Sequence, residues 1–432
     1  MKLRYIENLN KEELDNLCKR GTADNFKLQK TVAEIIQEVK LKGDAALFDM
    51  AELYEKRALT QLYLSSPTLH TIAENISESV KNAIDIAFQN IWNFHEAQLK
   101  EEAKVETMPG VFCWREIRAI QKVGLYIPGG TAVLPSTLLM LGIPARLANC
   151  EEIIVCTPAN QEGIVGPEIA YILGKLNIQK VYLSGGAQAI AAMAFGTETF
   201  PKVNKICGPG NAYVTEAKIQ LQRNVAIDFP AGPSEVLIIA DETADPNFVA
   251  SDLLAQAEHG SDSQAILVSP CNNFIEQVQI ALENQLAELP RQIIARAALE
   301  NSFILKTTNL NQAIAFSNLY APEHLIVCCG KEDEICAQIQ NAGSVFLGNY
   351  SPESAGDYAS GTNHTLPTSA FAKAYSGVSV DTFIKKISFQ KINSAGLLNI
   401  GPSIETLADV EGLFGHKNAV SIRLNSLNNI IN

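Results

Sequence analysis

From Ile120 onward, short apolar runs alternate with longer stretches of helical pattern. Runs such as EEIIVCTP, SEVLIIAD, QAILVSP and EHLIVCC have the length of buried strands. Parallel strands that are covered by helices on both faces read as continuous apolar runs of this kind. The rhythm therefore predicts a parallel α/β architecture, which follows an N-terminal region of mostly helical pattern.

The length of 432 residues exceeds what one hydrophobic core usually supports, which predicts two main domains. The segment PAGPSEVLIIAD, from Pro230, is the candidate crossing point between two sheets. Asn10 and Glu13 have the spacing of a capping box and predict a helix start. After about Phe371 the strand rhythm fades, and we expect scattered short elements in a tail that packs on its own body or on a second subunit.

Composition restricts the partners. The net charge is -13 and the pI is about 5.1, which disfavour nucleic acid and anionic membranes. No stretch has the apolar length of a membrane span, and the first twenty residues have no signal-peptide pattern. The nine cysteines form no C-x-x-C pair, so we expect a reducing cytoplasm and buried structural thiols. Cys113 and Cys150 lack a neighbouring group that would strongly activate a thiol nucleophile.

Histidine is the side chain best suited to titrate near neutral pH or to bind a transition metal. Four of the six histidines lie in the last two-fifths of the chain, in short segments rich in acids, amides, glycine or proline: His259, His324, His364 and His416. These segments predict a site assembled from distant loops. The remaining two, His70 and His95, lie in segments with an ordinary helical sequence pattern and are interpreted as structural.

Several of these segments offer metal ligands. Gln256 and His259 are three residues apart at the end of an apolar helix, although most such pairs are surface residues. PESAGDYASGTNH supplies Asp357 and His364, and the tail supplies Glu411 and His416. One four-ligand shell suited to zinc consists of Gln256, His259, Asp357 and His416.

The dipeptide Glu323–His324 lies where a proline turn enters an apolar strand. The histidine could act as a general base and the carboxylate could activate water. Alternatively, Glu323 is solvated and His324 caps the strand. Because QAEHG contains a second Glu–His dipeptide, spacing alone does not say which pair binds metal.

Glycine-rich turns occur in YIPGG, LSGGAQA and CGPGNAY, but none has the G-x-G-x-x-G pattern of dinucleotide-binding folds. The run SGGAQAIAAMAFG could bind a phosphate at a helix N-terminus, or could simply pack a small-residue helix closely on a sheet. Pattern alone therefore leaves nucleotide binding open.

Eight motifs, in order along nearly the whole chain, closely resemble those of the histidinol dehydrogenase family. They are YIPGGTAVLPST, GGAQAIAAMAFGTE, CGPGNAYVTEAK, PAGPSEVLIIAD, LLAQAEHGSDSQ, NLYAPEHL, PESAGDYASGTNHTLPT and EGLFGHKNAV. A departure such as Leu134, where an aromatic is common, falls at no functional position. The resemblance implies an NAD-dependent enzyme with one zinc ion per subunit. It would convert L-histidinol to L-histidine through an aldehyde, reducing two NAD, at the last step of histidine biosynthesis.

The resemblance also implies roles for individual residues. His324 would be the general base and Glu323 would activate the water that hydrates the aldehyde. The implied zinc ligands are Gln256, His259, Asp357 and His416. Substrate would contact these four ligands and His324, and its pocket would be completed by Ser234, His364 and Glu411. The implied NAD contacts are Tyr126, Gln188 and Asn211.

The resemblance further implies two incomplete Rossmann-like parallel-sheet domains with small N- and C-terminal extensions. The expected segments are an N-terminal helical extension (1–24), a main α/β domain (25–125 with 238–375), an inserted NAD-binding domain (126–237) and a tail (376–432). The tail would be exchanged in a homodimer, so that Glu411 and His416 serve the partner's site.

Two rival functions use the same residues. A zinc hydrolase also needs a metal, a glutamate and a histidine, but it needs no NAD. A non-enzymatic metal-binding or scaffold protein explains the metal ligands but leaves Glu323, His324 and the glycine loops at the strand ends without a purpose.

Overall fold

The computed structural model describes residues 1–20, 26–129, 134–230 and 232–431. The predicted boundary between residues 24 and 25 and the last glycine of YIPGG, Gly130, lie outside these ranges. Contacts divide the chain into two compact units. The larger unit consists of Met1–Gln98 and Ile120–Phe383, and the smaller unit of Leu99–Ala119 and Ile384–Asn432.

The described strands are β1 (Lys2–Tyr5), β2 (Tyr63–Ser65), β3 (Val105–Met108), β4 (Val111–Ala119), β5 (Lys122–Tyr126), β6 (Glu152–Thr157), β7 (Lys180–Leu183), β8 (Lys205–Cys207), β9 (Ala226–Ile227), β10 (Glu235–Ala240), β11 (Gln264–Ser269), β12 (Phe303–Lys306), β13 (His324–Cys328), β14 (Ser344–Leu347) and β15 (Ile384–Ile392).

The described α-helices are α1 (Lys11–Leu17), α2 (Phe26–Lys42), α3 (Asp44–Met50), α4 (Ser66–Ala73), α5 (Glu78–Glu96), α6 (Pro135–Leu147), α7 (Pro167–Lys175), α8 (Gly186–Phe195), α9 (Ala212–Leu221), α10 (Pro246–Ala257), α11 (Asn272–Glu288), α12 (Gln292–Glu300), α13 (Leu310–Tyr320), α14 (Glu332–Cys336), α15 (Glu353–Tyr358), α16 (Ser394–Val410) and α17 (Phe414–Ile431). Short 3-10 or π segments cover Ile6–Asn8, Ala51–Glu55, Phe371–Lys373 and Val380–Phe383.

One sheet of the larger unit has the strand order β1-β12-β11-β10-β13-β14 and is parallel throughout. All six residues of β10 and all five of β13 are buried, as their uninterrupted apolar runs predict. The N-terminal segment contributes the edge strand β1. The helix that follows, α1, begins with the predicted capping box between Asn10 and Glu13.

The second sheet has the order β2-β7-β6-β5-β8-β9 and is parallel except for β2. The five parallel strands of this sheet and the last five of the first share the order 3-2-1-4-5, which is that of a Rossmann fold without its sixth strand. The chain leaves the second sheet at β9 and enters the first at β10, which confirms the predicted crossing near Pro230. The parallel α/β fold class is confirmed.

Helices of residues 26–96 cover the second sheet. Helix α2 packs on α8 and α9, α4 packs on α7, and α5 packs on α6. The contacts divide the chain into two units, whereas the family resemblance predicts four segments. The four-segment division therefore stays a prediction.

The smaller unit contains an antiparallel sheet of order β15-β4-β3 and two long helices, α16 and α17, that pack together. The expectation of scattered short elements after Phe371 is therefore wrong for this part of the chain. Large apolar side chains of these helices, including Leu407, Val410 and Phe414, are exposed within this unit, so the pattern shows no clear buried stripe. None of the described helices combines the length and apolar character that crossing a bilayer requires.

A buried ion pair closes the second sheet at β8 and β9. The Lys218 ammonium contacts the carboxylate of Asp228, and both side chains are almost fully buried. Lys218 Nζ also donates to the Gly208 carbonyl at 3.0 Å, while the Gly208 N–H donates to Asp228 Oδ2 at 2.8 Å. Gly208 has φ +135°, and an added Cβ would lie 2.1 Å from the Tyr126 carbonyl oxygen. The pair therefore fixes a turn that accepts only glycine without strain.

Replacing Lys218 with Met should destabilise the protein by about 3–5 kcal/mol, because Asp228 would keep a buried and unpaired charge. Chemical denaturation would measure the loss. Lys42→Met is the matched control, since Lys42 pairs with Glu38 on an exposed helix face and should change stability little. Equal effects of the two substitutions would contradict this account.

Candidate active site

The Glu323–His324 pair lies at the amino edge of the first sheet. His324 is the first residue of β13 and pairs in register with Val236, the second residue of β10. Ligands of open parallel sheets usually bind at the carboxyl ends of the strands, so this position departs from the general expectation. Both side chains are buried, which rules out the alternative of a solvated Glu323.

The backbone of Glu235 holds both members of the pair. Its N–H donates to Glu323 Oε2 at 2.9 Å, and its carbonyl oxygen lies 3.2 Å from His324 Nδ1. Because a carbonyl can only accept, this contact places the imidazole proton on Nδ1. Nε2 is buried and without a hydrogen-bond partner among the described residues. When the ring is neutral, Nε2 is therefore its basic atom.

The side chain of Glu235 is fixed by the N-terminal segment. Arg20 Nε lies 2.8 Å from Glu235 Oε1, and Arg20 Nη2 lies 2.9 Å from Oε2, which is a bidentate pair. The guanidinium also lies 3.6 Å from the centre of the Tyr320 ring, and the Ser369 N–H donates to Glu235 Oε1 at 2.8 Å. These contacts hold the residue whose backbone orients Glu323 and His324.

Two further carboxylates, both on α15, face the His324 ring. Glu353 Oε1 lies 3.4 Å from Nδ1, and Asp357 Oδ1 lies 3.6 Å from Nε2. Glu353 is almost fully buried, and its Oε2 has no hydrogen-bond partner among the described residues. Helix geometry places these residues, four apart, on one face of the helix.

Burial and mutual charge shift the titration of this cluster. Burial raises the pKa of Glu323 and that of Glu353 to about 8. Burial alone would lower the pKa of His324, but the carboxylates, Glu353 first, outweigh it and raise this pKa well above its usual value. For Asp357 the burial effect is outweighed by His324, which holds the carboxyl pKa below its usual value. The cluster can therefore keep protons near neutral pH.

Next to these groups is a set of side chains that could hold a metal ion. Ligand atoms of His259, Glu353 and Asp357 lie within 4.8 Å of one another. Gln256 is fully buried on α10, which packs against α15, and neither its Oε1 nor its Nε2 has a hydrogen-bond partner among the described residues. Such an orphaned amide is costly unless a ligand binds it. Imidazole, carboxylate and amide donors fit a divalent ion such as zinc.

His364 and Ser234 border this cluster. His364 Nδ1 lies 2.8 Å from the Asp357 carbonyl oxygen, and Nε2 lies 3.2 Å from Thr137 Oγ1 at the start of α6. Burial lowers the pKa of His364. Ser234 directly precedes β10, and its carbonyl accepts from the Gln264 N–H at 3.1 Å. His364 is thus joined to the cluster through the backbone of Asp357 in α15. Ser234 is joined to it through the next residue in the chain, Glu235, at the start of β10.

Glu411 and His416 belong to the smaller unit. Glu411 is the C-cap residue of α16 and His416 lies in the first turn of α17, and both are exposed. Their participation in the site stays a prediction.

A separate cavity of about 710 Å³ lies at the carboxyl ends of β5, β6 and β7. Its lining includes the three residues predicted to contact NAD: Tyr126, Gln188 and Asn211. Asn211 is also the N-cap of α9 and accepts from the Tyr213 and Val214 N–H groups. The cavity has the position expected of a ligand site in an open parallel sheet.

The sequence interpretation missed Glu353, Glu235, Arg20 and Glu55. The spacing of Glu353 and Asp357, four residues apart in PESAGDY, was a usable signal for Glu353. Glu235, an acid inside the apolar motif PSEVLIIAD, was a weaker signal. Arg20, and Glu55 on the cavity wall, gain their roles only through long-range contacts.

Residues 18–424 match the family model for histidinol dehydrogenase. A curated histidinol dehydrogenase from Bacteroides thetaiotaomicron is 50% identical over 426 residues, with 98% of this chain and 100% of the relative covered. One from Vibrio parahaemolyticus is 47% identical and covers 98% of each chain. The crystal structure of histidinol dehydrogenase from Elizabethkingia anophelis has a TM-score of 0.96, 50% identity and 99% coverage of both chains. This chain belongs to the histidinol dehydrogenase family.

Proposed function

We propose that the protein oxidises L-histidinol to L-histidine through L-histidinal, with two NAD reduced and one zinc ion per subunit. The observation that carries the proposal is the buried Glu323–His324 pair beside His259, Glu353 and Asp357, with an unpartnered Gln256 amide next to them. A base, a water-activating carboxylate and a metal-ligand set are the parts that this two-stage oxidation requires.

His324 acts as the general base. The contact of Nδ1 with the Glu235 carbonyl leaves Nε2 to accept the hydroxyl proton of the substrate as the carbinol carbon is oxidised. The carboxylates around the ring stabilise the imidazolium that results. Once the imidazolium has lost this proton to solvent, the same atom accepts a proton again when the hydrated aldehyde is oxidised.

Glu323 activates the water that hydrates the aldehyde. Its Oε2 accepts from the Glu235 N–H, so we assign proton abstraction from water to Oε1. Burial, which raises the pKa of this carboxyl to about 8, makes it a stronger base than an exposed glutamate. Asp357 and His364 border the same space, and we assign them, with Ser234, to the substrate pocket.

Two bound groups supply chemistry that side chains lack. Tyr126, Gln188 and Asn211 would hold NAD in the cavity of the second sheet, where it would supply the hydride acceptor for each oxidation. When bound, zinc orients the imidazole and amino groups of the substrate. The residues that would hold zinc are Gln256, His259, Asp357 and His416. Glu353, which lies within reach of His259 and Asp357, would support these ligands.

We further propose a cytoplasmic homodimer in which the tail supplies Glu411 and His416 to the partner's site. The exposed apolar side chains of α16 and α17, such as Val410 and Phe414, support a partner surface for this unit. The division into segments 1–24, 25–125 with 238–375, 126–237 and 376–432 belongs to the same proposal.

The rival zinc hydrolase explains the metal ligands and Glu323. It gives no purpose to a cavity of about 710 Å³ on another sheet, whose lining includes Tyr126, Gln188 and Asn211. A scaffold protein leaves both the buried base and this cavity without a function. The oxidoreductase therefore accounts for more of the molecule.

Purified zinc-loaded protein given L-histidinol and NAD should form two NADH for each histidinol consumed. Removal of zinc by a chelator should abolish the increase in NADH absorbance, and added zinc should restore it. Folded, metal-loaded protein that forms no NADH would contradict the proposal and favour the hydrolase.

His324→Asn should slow both oxidations by at least about 100-fold, because the proton acceptor is lost. Glu323→Gln should mainly slow the conversion of L-histidinal to L-histidine. Single-turnover kinetics with each substrate would separate the two stages. His70→Asn and Glu334→Gln, at exposed positions, are the matched controls. Unchanged histidinal oxidation in Glu323→Gln would refute the role of this residue.

Asp357→Asn and His416→Asn should each bind less zinc and lose activity. If the tail serves the partner, refolding the two variants together should restore about a quarter of wild-type activity, since half of the dimers would carry one intact site. Zinc content and NADH formation would be measured on both singles and the mixture. A mixture as inactive as the single variants would exclude a shared site.

A further inference from the structure

The cavity of the second sheet contains one carboxylate and one cation among its described lining residues, Glu55 and Arg57. Both come from the segment after α3, outside the sheet. We infer that Glu55 selects a cofactor whose adenosine ribose carries a free 2′-hydroxyl, and that it rejects the 2′-phosphorylated form. The inference rests on the proposed binding of a nicotinamide dinucleotide in this cavity.

The N-terminus of the helix after β7 already has polar partners within the chain. Helix α8 begins at Gly186, after β7, and a helix N-terminus can present free N–H groups to an anion. Here the Gly185 N–H donates to Glu55 Oε1 at 2.9 Å, and the Gly186 N–H donates to the Tyr126 hydroxyl oxygen at 3.0 Å. The Glu55 carboxylate thus occupies the N-terminus of α8.

The second oxygen of Glu55 is available for a ligand. Gln188 Nε2 donates to Oε1 at 3.1 Å, so Oε1 has two donors. Oε2 is buried and has no hydrogen-bond partner among the described residues. A buried acceptor of this kind requires a donor, and ribose hydroxyl groups are donors that the cofactor provides.

The charges in the cavity fit a dinucleotide with only its diphosphate. Arg57 is the single cation of the described lining, and its buried Nε has no hydrogen-bond partner there. It can neutralise part of the diphosphate. A third phosphate on the ribose would face the Glu55 carboxylate with no further cation, and two like charges at short range repel in a partly buried site.

Strand order indicates which ribose Glu55 contacts. Glu55 is bound to the turn after β7, whereas β5 leads into α6, where Thr137 contacts His364 of the catalytic cluster. Strands β7 and β5 are separated by β6, which corresponds to about 10 Å. The nicotinamide must reach the catalytic side, so the ribose beside Glu55 belongs to the adenosine half.

Calorimetric titration of wild-type protein with ADP-ribose and with its 2′-phosphorylated form tests the inference without a variant. The phosphorylated form should bind at least about ten-fold more weakly. Equal affinity would overturn the inference. If neither ADP-ribose compound binds and NADH does not bind either, the assignment of this cavity to NAD is wrong. Failure of the proposed function is thus distinguished from failure of the Glu55 inference alone.

Glu55→Gln keeps the shape of the side chain and removes its charge. It should reduce the preference for NADH over NADPH by about ten-fold. Glu52→Gln, an exposed position on the same turn, should leave the preference unchanged. An unchanged preference in folded Glu55→Gln, or an equal gain in affinity for both nucleotides, would show that Glu55 does not discriminate between them and would overturn the inference. Thermal melting would establish that the variant is folded.

Discussion

The parallel pairing of β10 with β13 is the constraint on which the candidate site depends. It brings the backbone of Glu235 beside Glu323 and His324, so that its N–H donates to the carboxylate and its carbonyl faces the imidazole as an acceptor. Backbone atoms of two buried strands move little, and the ring is therefore oriented by the core itself. Arg20 extends this control to the N-terminal segment by holding the Glu235 side chain.

Burial makes this arrangement electrostatically demanding. Three carboxylates, those of Glu323, Glu353 and Asp357, face one imidazole in a region that water scarcely reaches. Such a concentration of charge is tolerated only when protons, hydrogen bonds or a bound cation balance it. The unpartnered amide of Gln256 beside the cluster has the same implication. Both features fit the proposed metal ion.

The two sheets share a strand order but use opposite edges. The Glu323–His324 cluster lies at the amino edge of the first sheet, and the cavity lined by Tyr126 and Gln188 lies at the carboxyl edge of the second. Helix α6, which follows β5, connects them through the contact of Thr137 with His364. At the carboxyl edge of the second sheet, Glu55 and the Tyr126 hydroxyl accept from the N–H groups at the start of α8.

The sequence by itself determined the parallel α/β class, the crossing near Pro230 and the capping box at Asn10, because apolar runs and turn residues encode local structure directly. Its motifs also determined the family. Only the tertiary structure decided that the pair at His324 lies at an amino edge, that Glu353 joins it, and that α16 and α17 are long helices. Those outcomes depend on which strands pair and on which distant groups meet, and no local pattern around Arg20 or Glu55 records such contacts.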